Sequence, residues 1–463
     1  MKFTTPVLLA SAGVASALTQ QCTGDSINEG GNFFCGAVKQ ILYEGFAGSG
    51  SYKAVTGMGN NKQCDTEDVP YSGPLAPLDE GLSVHVRGPF NLKEFAVYHL
   101  GSDNKKRDVA PSPHVHARRH GHQHFHEQRK KKRAEWITAT IDGQVVSWEN
   151  NYFGPATQAA PAPAAAAPTQ AAQEPAAPQP VAPKPVAPKP EAEKEAAPAK
   201  IKTPVTNGGG QSKPSPKKTK TAAAGGAWSR TSYYNAEQQA ADNIVFLGNY
   251  GGDGSGVFDE TWGNSLSYLN ADGTGGSSSP KVLKDVYIPS NKEFSIWTAE
   301  KCDGSCGYSR APDVAYKGFS GGSKIFLFHF NMPLDGDRGF NGDMPALWAL
   351  NGRIPRTGQY SSCSCWTTGC GEADIYEVLA SGDTKCKSTF HLAKGAGSSD
   401  YFDRPVDSFI RVATIFDERS SSVAIKRVPD DFDFSESLSE DVVAGWLDGF
   451  AVGGKGISLF QVA

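Results

Sequence analysis

Glu372-Ala373-Asp374-Ile375-Tyr376-Glu377 is a stretch of strand length with an acidic residue at its start, middle and end. Period two puts Glu372 and Asp374 on one face of a strand and Glu377 on the other. A one-residue bulge between Asp374 and Glu377 brings all three to the same face. Three carboxylates crowded on one side of an apolar strand repel one another, and such a cost marks a site. Further apolar runs of strand length surround it: Lys324 to Phe330, Ala346 to Leu350, Ser388 to Leu392 and Phe409 to Phe416, separated by Gly-rich turns. Helical spacing is confined mainly to Ser437 to Phe450. Many short strands between turns predict an all-β fold, with a β-jelly-roll sandwich over residues 226–463.

Ahead of that sandwich the chain changes character. Residues 155–225 are rich in Ala, Pro and Lys, with repeats such as Val181-Ala182-Pro183-Lys184-Pro185. Pro at this density favours polyproline II, so the stretch reads as a coreless, semi-rigid linker. Residues 18–154 carry many glycines and short apolar stretches with little helical periodicity, which predicts a smaller β-rich N-terminal domain. Within it, Trp136 to Ile141 and Gln144 to Trp148 read as the arms of a hairpin turning at Asp142-Gly143. Residues 1–17 have the form of a secretory signal peptide, with Lys2, an apolar run from Val7 to Val14, and Ala15-Ser16-Ala17 at the cut. Nothing beyond it approaches the roughly 20 apolar residues of a membrane helix. The tail from Ile457 to Ala463 lacks the spacer and long apolar segment of a lipid-anchor signal. A secreted, extracellular or wall-retained protein with no membrane partner is expected.

Export makes disulfides the expected state of the nine cysteines. Cys302, Cys306, Cys363, Cys365, Cys370 and Cys386 could close among themselves, leaving an odd thiol or an unusual pairing among Cys22, Cys35 and Cys64. Their spacings do not repeat a CxxC pair, so neither zinc nor another metal is expected. The net charge of −4 points to no partner, because basic and acidic residues nearly cancel. Positive charge is concentrated in an insert, residues 104–133, which holds Lys105-Lys106-Arg107, His114, His116, His120, His122, His124, His126 and the run Arg129 to Arg133. It reads as a solvated loop inside the N-terminal domain. Lys106-Arg107 and Lys132-Arg133 are candidate cleavage sites for a processing protease. Histidine binding of stray Zn²⁺ or Cu²⁺ is the alternative, without fixed geometry. A nucleic-acid partner is not expected of an exported protein.

Trp348, in Met344-Pro345-Ala346-Leu347-Trp348-Ala349-Leu350, and Trp366, in the Cys-rich lead-in Cys363 to Gly371, place flat aromatic faces near the carboxylates. A sugar-cleaving groove needs that combination, since pyranose C–H faces stack on aromatics while the acids act on the bond. Calcium binding or plain solvation are the alternatives for the acids. Core packing is the alternative for Trp348, a buried hydrogen-bonded role for His391, and His329 reads as structural. The ExDxxE pattern of EADIYE, preceded by MPALWAL and followed by STFHLAKG, resembles glycoside hydrolase family 16, the laminarinase and lichenase class. The wider layout of signal, glycine-rich domain, low-complexity spacer and acidic C-terminal domain is similar to fungal Tos-type cell-wall proteins.

The resemblance implies a concanavalin-like sandwich and a secreted glycoside hydrolase of the cell wall. The implied activity is endo-β-1,3-glucanase-like with a retaining double-displacement mechanism, β-glucan as partner and no cofactor. By position, Glu372 would be the nucleophile, Glu377 the general acid/base and Asp374 the group that orients and tunes the nucleophile. Trp348 and Trp366 would line subsites, and His391 would stand beside the nucleophile on the next strand. Retention calls for working carboxyls about 5 to 5.5 Å apart, one of them held protonated. A glucan transglycosylase uses the same covalent intermediate, and a non-catalytic glucan-binding wall protein the same groove. The binding module need not keep both Glu372 and Glu377.

Overall fold

A computed structural model describes residues 25–101, 136–141, 144–149, 228–393, 395–448, 450 and 456–462. The signal peptide, the basic insert with both dibasic sites, and the Pro/Ala-rich linker lie outside the described residues. The chain divides into one unit of residues 1–116 with 222–463 and another of residues 117–221. In the latter, Trp136–Ile141 pairs antiparallel with Gln144–Glu149, with Ile141 opposite Gln144. These are the hairpin arms predicted from the sequence; the turn residues are not described.

In the larger unit, two sheets of nine and eleven strands enclose one core, and the fold is an all-β sandwich. The first sheet runs in the order Ala240–Asp242, Trp228–Asn235, Asn91–Leu100, Lys324–Asn331, Ile410–Asp417, Ser422–Val428, Gln40–Glu44, Ile457–Gln461. In the second, the central order is Val245–Gly248, Glu293–Trp297, Leu82–Arg87, Ala346–Asn351, Glu372–Glu377, Lys385–His391. Side-chain alternation explains which face each strand buries. In Lys324–Asn331, Phe326, Phe328 and Phe330 enter the core between the sheets, while Ile325 and Leu327 point to the outer face. That outer face is also apolar because the helix Glu440–Asp448 covers it with Val443 and Trp446. A continuously apolar strand is what burial on both faces demands.

The expected separate N-terminal β domain is not what the fold contains. Leu82–Arg87 pairs with Glu293–Trp297 on one side and Ala346–Asn351 on the other. Asn91–Leu100 likewise lies between Trp228–Asn235 and Lys324–Asn331, and Gln40–Glu44 between Ser422–Val428 and Ile457–Gln461. Strands from ahead of the linker therefore complete both sheets of the sandwich. The reason lies in the pairing: apolar strands left with open edges would template aggregation, and here both edges are covered by residues beyond 226.

The cysteine expectation is also corrected. Cys64 bonds to Cys363, Cys302 to Cys306 and Cys365 to Cys370. Cys35 is disulfide-bonded as well. Among the described residues the free thiol is Cys386, buried in the core. Its strand directs it inward by parity, where it faces the Met332 sulfur at 3.9 Å, so the unpaired cysteine among the described residues falls in the late set, and one bridge crosses the linker.

Candidate active site

On the eleven-stranded sheet, core residues and site residues alternate strictly along the strands flanking the acids. Leu82, Val84 and Val86 belong to the core, leaving Ser83, His85 and Arg87 on the opposite face. Phe294 and Ile296 are core, leaving Glu293 and Ser295. In Glu372–Glu377 the rule breaks once: Ala373, Ile375 and Tyr376 are all core residues. Leu347 opposes Tyr376 and Trp348 opposes Asp374, so Ile375 is the extra residue. The register with the next strand also shifts between Asp374 and Glu377. This is the bulge that the spacing of the acids calls for. Glu372, Asp374 and Glu377 consequently leave the sheet on one face, with His391 paired opposite Glu372.

Crowding has electrostatic consequences. Burial, reinforced by the Asp374 charge, lifts the Glu372 carboxyl to about 8. Glu377 rises to about 7 for the same two reasons, with the Arg87 guanidinium pulling the other way. His391 Nε2 lies 3.1 Å from Asp374 Oδ2. Burial pulls the imidazole down, but the Asp374 hydrogen bond and the surrounding carboxylates override it and raise His391 to about 9. Glu372 and Glu377 titrate together, so the site retains a proton at mildly acid pH. Among the described residues no group of three or more His, Cys, Asp or Glu side chains is placed to hold a metal ion.

Two partners missing from the sequence reading steady this set. Arg87 reaches Glu377 (Nη2 to Oε1, 3.6 Å) and Glu293 (Nη1 to Oε1, 3.7 Å), and its Nε donates to the Met344 carbonyl at 2.8 Å. Burial raises the Glu293 carboxyl as well. The signal was present as the alternation Leu82-Ser83-Val84-His85-Val86-Arg87, a half-polar strand with a charge at its end. Its distance in sequence from EADIYE hid the connection.

The segment between Asn351 and Glu372 supplies the rim. The indole N–H of Trp366 donates to Glu372 Oε2, and its ring stands 5.6 Å from the His391 ring. Trp366 is 42% exposed, open to solvent at the rim. Trp348 is not: only 4% exposed, its ring is stacked 5.2 Å from the His85 ring. Its indole packs beneath the rim with Tyr52, Ala54, Ile354, Cys365 and Cys370, so it supports the site from below instead of lining it. Bond Cys365–Cys370 closes the turn that carries Trp366, and Cys64–Cys363 ties the same segment to the hairpin of Gly48–Met58 and Cys64–Gly73. Thr368 Oγ1 accepts from the Lys53 amide at 2.9 Å.

Comparison with known proteins identifies the family. The family described as "Cell wall protein YJL171C/Tos1" matches in its C-terminal part over residues 226–446 and in its N-terminal part over residues 39–100. A Candida albicans protein named "Probable circularly permuted 1,3-beta-glucanase TOS1" is 41% identical over 96% of this chain and 98% of its own. The chain belongs to the YJL171C/Tos1 family of cell wall proteins. An Arthroderma benhamiae relative, "Probable circularly permuted 1,3-beta-glucanase", is 40% identical over 94% of this chain and 95% of its own. A Saccharomyces cerevisiae relative of the TOS1 name is 36% identical over 95% and 96%. No solved structure matches. Both matched parts of the family contribute strands to the sheet that bears the acids: Leu82–Arg87 from one, Ala346–Asn351 and Glu372–Glu377 from the other.

Proposed function

We propose that this chain is a secreted, wall-resident glycoside hydrolase that cleaves β-1,3-glucan internally by a retaining double displacement. The observation that carries the reading is the bulge at Ile375, which turns Glu372, Asp374 and Glu377 to one face and leaves two of them with raised proton affinity. The two glutamates share one proton; in the productive form it sits on Glu377, and Glu372, its charge stabilised by His391 and the Trp366 N–H, attacks the anomeric carbon as the carboxylate while Glu377 gives that proton to the departing glycosidic oxygen. The resulting glycosyl ester on Glu372 is released when Glu377, now a base, takes a proton from the attacking water. Asp374, bonded to His391, orients and tunes the nucleophile, and Trp366 offers its face to a sugar ring. The choice of β-1,3-glucan follows the names of the relatives. Their description as circularly permuted agrees with a sandwich whose sheets are completed by strands from ahead of the linker.

The test uses the secreted full chain, because residues on both sides of the linker build the site. Reducing sugar released from β-1,3-glucan, mixed-linkage glucan and chitin is compared among wild type, Glu372→Gln and Glu377→Gln. Cleavage of β-1,3-glucan by wild type alone is expected; equal product from all three would end the assignment. Products longer than the substrate would identify a sugar hydroxyl as the acceptor in place of water. Binding of glucan without any product would leave a non-catalytic binding module.

A further inference from the structure

Glu293, Arg87, Ala346 and Glu377 stand opposite one another on four neighbouring strands. Three of them carry charge or a proton, and the fourth lets them meet. Ala346 lies between Arg87 and Glu377, and its methyl group leaves room for the guanidinium to reach over that strand to the acid. Arg87 Nε is fixed by the Met344 carbonyl at 2.8 Å, while the two tips of the fork point to different partners. Nη2 is 3.6 Å from Glu377 and Nη1 is 3.7 Å from Glu293. Both contacts are longer than the roughly 2.7–2.9 Å of a full charge-assisted hydrogen bond. One positive charge is therefore shared between two carboxyl groups. Glu293 is held in turn by Tyr360, whose hydroxyl donates to it and lies 2.9 Å from each of its oxygens, a bond that favours the carboxylate.

An opposite charge within about 4–6 Å lowers a carboxyl pKa by roughly 1–3. A guanidinium given wholly to Glu377 would therefore draw the proton that the two glutamates share onto Glu372, where it would disable the nucleophile. The other groups facing Glu377 do not prevent this. Asp374 opposes the ionisation of both glutamates, and His391 favours it in both. Lys387, directly opposite Glu377, donates its ammonium to the Phe33 and Ser398 carbonyls, and burial keeps the Cys386 thiol neutral. Around Glu293, burial leaves His85 uncharged and Tyr250 protonated. Glu293 is the group that competes for Arg87 alone. We propose that Glu293 is a positioning residue for the reaction: by holding a share of Arg87 it keeps the shared proton on Glu377, while Arg87 stays at hand to steady the carboxylate left after proton transfer. The proposal rests on the reading of Glu377 as the acid/base.

Its test titrates the Glu377 carboxyl by carbon-13 NMR in the full chain carrying Glu372→Gln, so that the proton has one glutamate to occupy; the resonance is assigned by its loss in Glu377→Gln. Adding Glu293→Gln frees the guanidinium for Glu377 and should lower the midpoint by about one pH unit. Adding Arg87→Gln removes the counter-charge and should raise it by a comparable amount. Misfolding would not move the two variants in opposite directions. With Glu372 intact, Glu293→Gln should cut sugar release from β-1,3-glucan roughly tenfold, the same preference read as a rate. A midpoint that Glu293→Gln leaves in place or raises would overturn the proposal, as would undiminished sugar release by that variant. Opposite midpoint shifts with no sugar released by wild type would keep the hold of Glu293 on Arg87 and sink the catalytic reading. Release by wild type beside an unmoved midpoint would spare that reading and remove Glu293 from it.

Discussion

Glu372 and Glu377 bind protons more tightly in the folded chain than in an unfolded one, because burial and the Asp374 charge oppose their ionisation. Between the ordinary carboxyl value of 4.5 and the folded values of about 7 and about 8, the folded state holds the extra proton. Stability therefore falls as pH rises through that window and is unaffected below it. Replacing either acid by Gln removes this penalty but forfeits a bond from Trp366 or Arg87. Each variant should lose glucan hydrolysis yet gain about 1–2 kcal/mol of stability in neutral to mildly alkaline buffer. Thermal melts at about pH 4 should show no gain, since both states are protonated there. A variant less stable than wild type at neutral pH would show that the acids are not strained. His391 lowers the proton affinity of both glutamates, so His391→Ala should move both limbs of the kcat/KM profile to higher pH. A profile that only drops in height would leave His391 no electrostatic role.

At the scale of the strand, the bulge is the decisive device, and it was legible from residues alone. Glu372 and Asp374 share a parity that Glu377 lacks, and an acid facing the core is costly enough to dictate an extra residue. Deleting Ile375 straightens the pairing with Ala346–Asn351 yet keeps Glu377 on the site face, because the residue removed is the unpaired one. Such a chain should still be secreted, destabilised by about 2–4 kcal/mol through loss of the buried isoleucine, and nearly inactive because Glu377 is drawn closer to Asp374. Inserting one Ala after Ile375 instead restores regular alternation with Glu377 still on the site face but one residue farther along the strand from Asp374, so that chain should also be secreted and nearly inactive. Loss of either chain from the medium, read by immunoblot, would contradict this register. The rim was less legible. Trp366 follows from its place before the strand, but Tyr360, Arg87 and Glu293 are assembled by loop closure and by strands distant in sequence. Cys64–Cys363 holds that assembly together. Cys64→Ser with Cys363→Ser should cost roughly 2–4 kcal/mol and lower kcat/KM as the rim loosens; an unchanged melt and rate would make the bridge ornamental to the site.

Over the whole molecule, the sequence announced an all-β sandwich but misplaced its boundaries. Strand character is a local property of alternation and survives without context; the choice of sheet partner is not local. The Pro/Ala-rich stretch looks like a domain border because its composition cannot build a core, and composition carries no record of which strands pair across it. In the folded chain Leu82–Arg87, Asn91–Leu100 and Gln40–Glu44 each have neighbours from beyond residue 226 on both edges. Alone, residues 226–463 would expose open edges in the middle of both sheets, and Phe326, Phe328 and Leu347 would lose core partners such as Phe95, Val84 and Val86. Unpaired edges with apolar faces aggregate. Expression of residues 226–463 alone should yield insoluble protein, as should residues 18–154 alone. Secreting the two pieces together should restore a soluble complex that co-purifies and cleaves glucan within about tenfold of the intact chain, since the linker adds only effective concentration. A full chain cut at a protease site engineered between residues 155 and 225 should likewise elute as one species and melt as one unit. Soluble, separately folded fragments would restore the two-domain reading and remove Arg87 from the site.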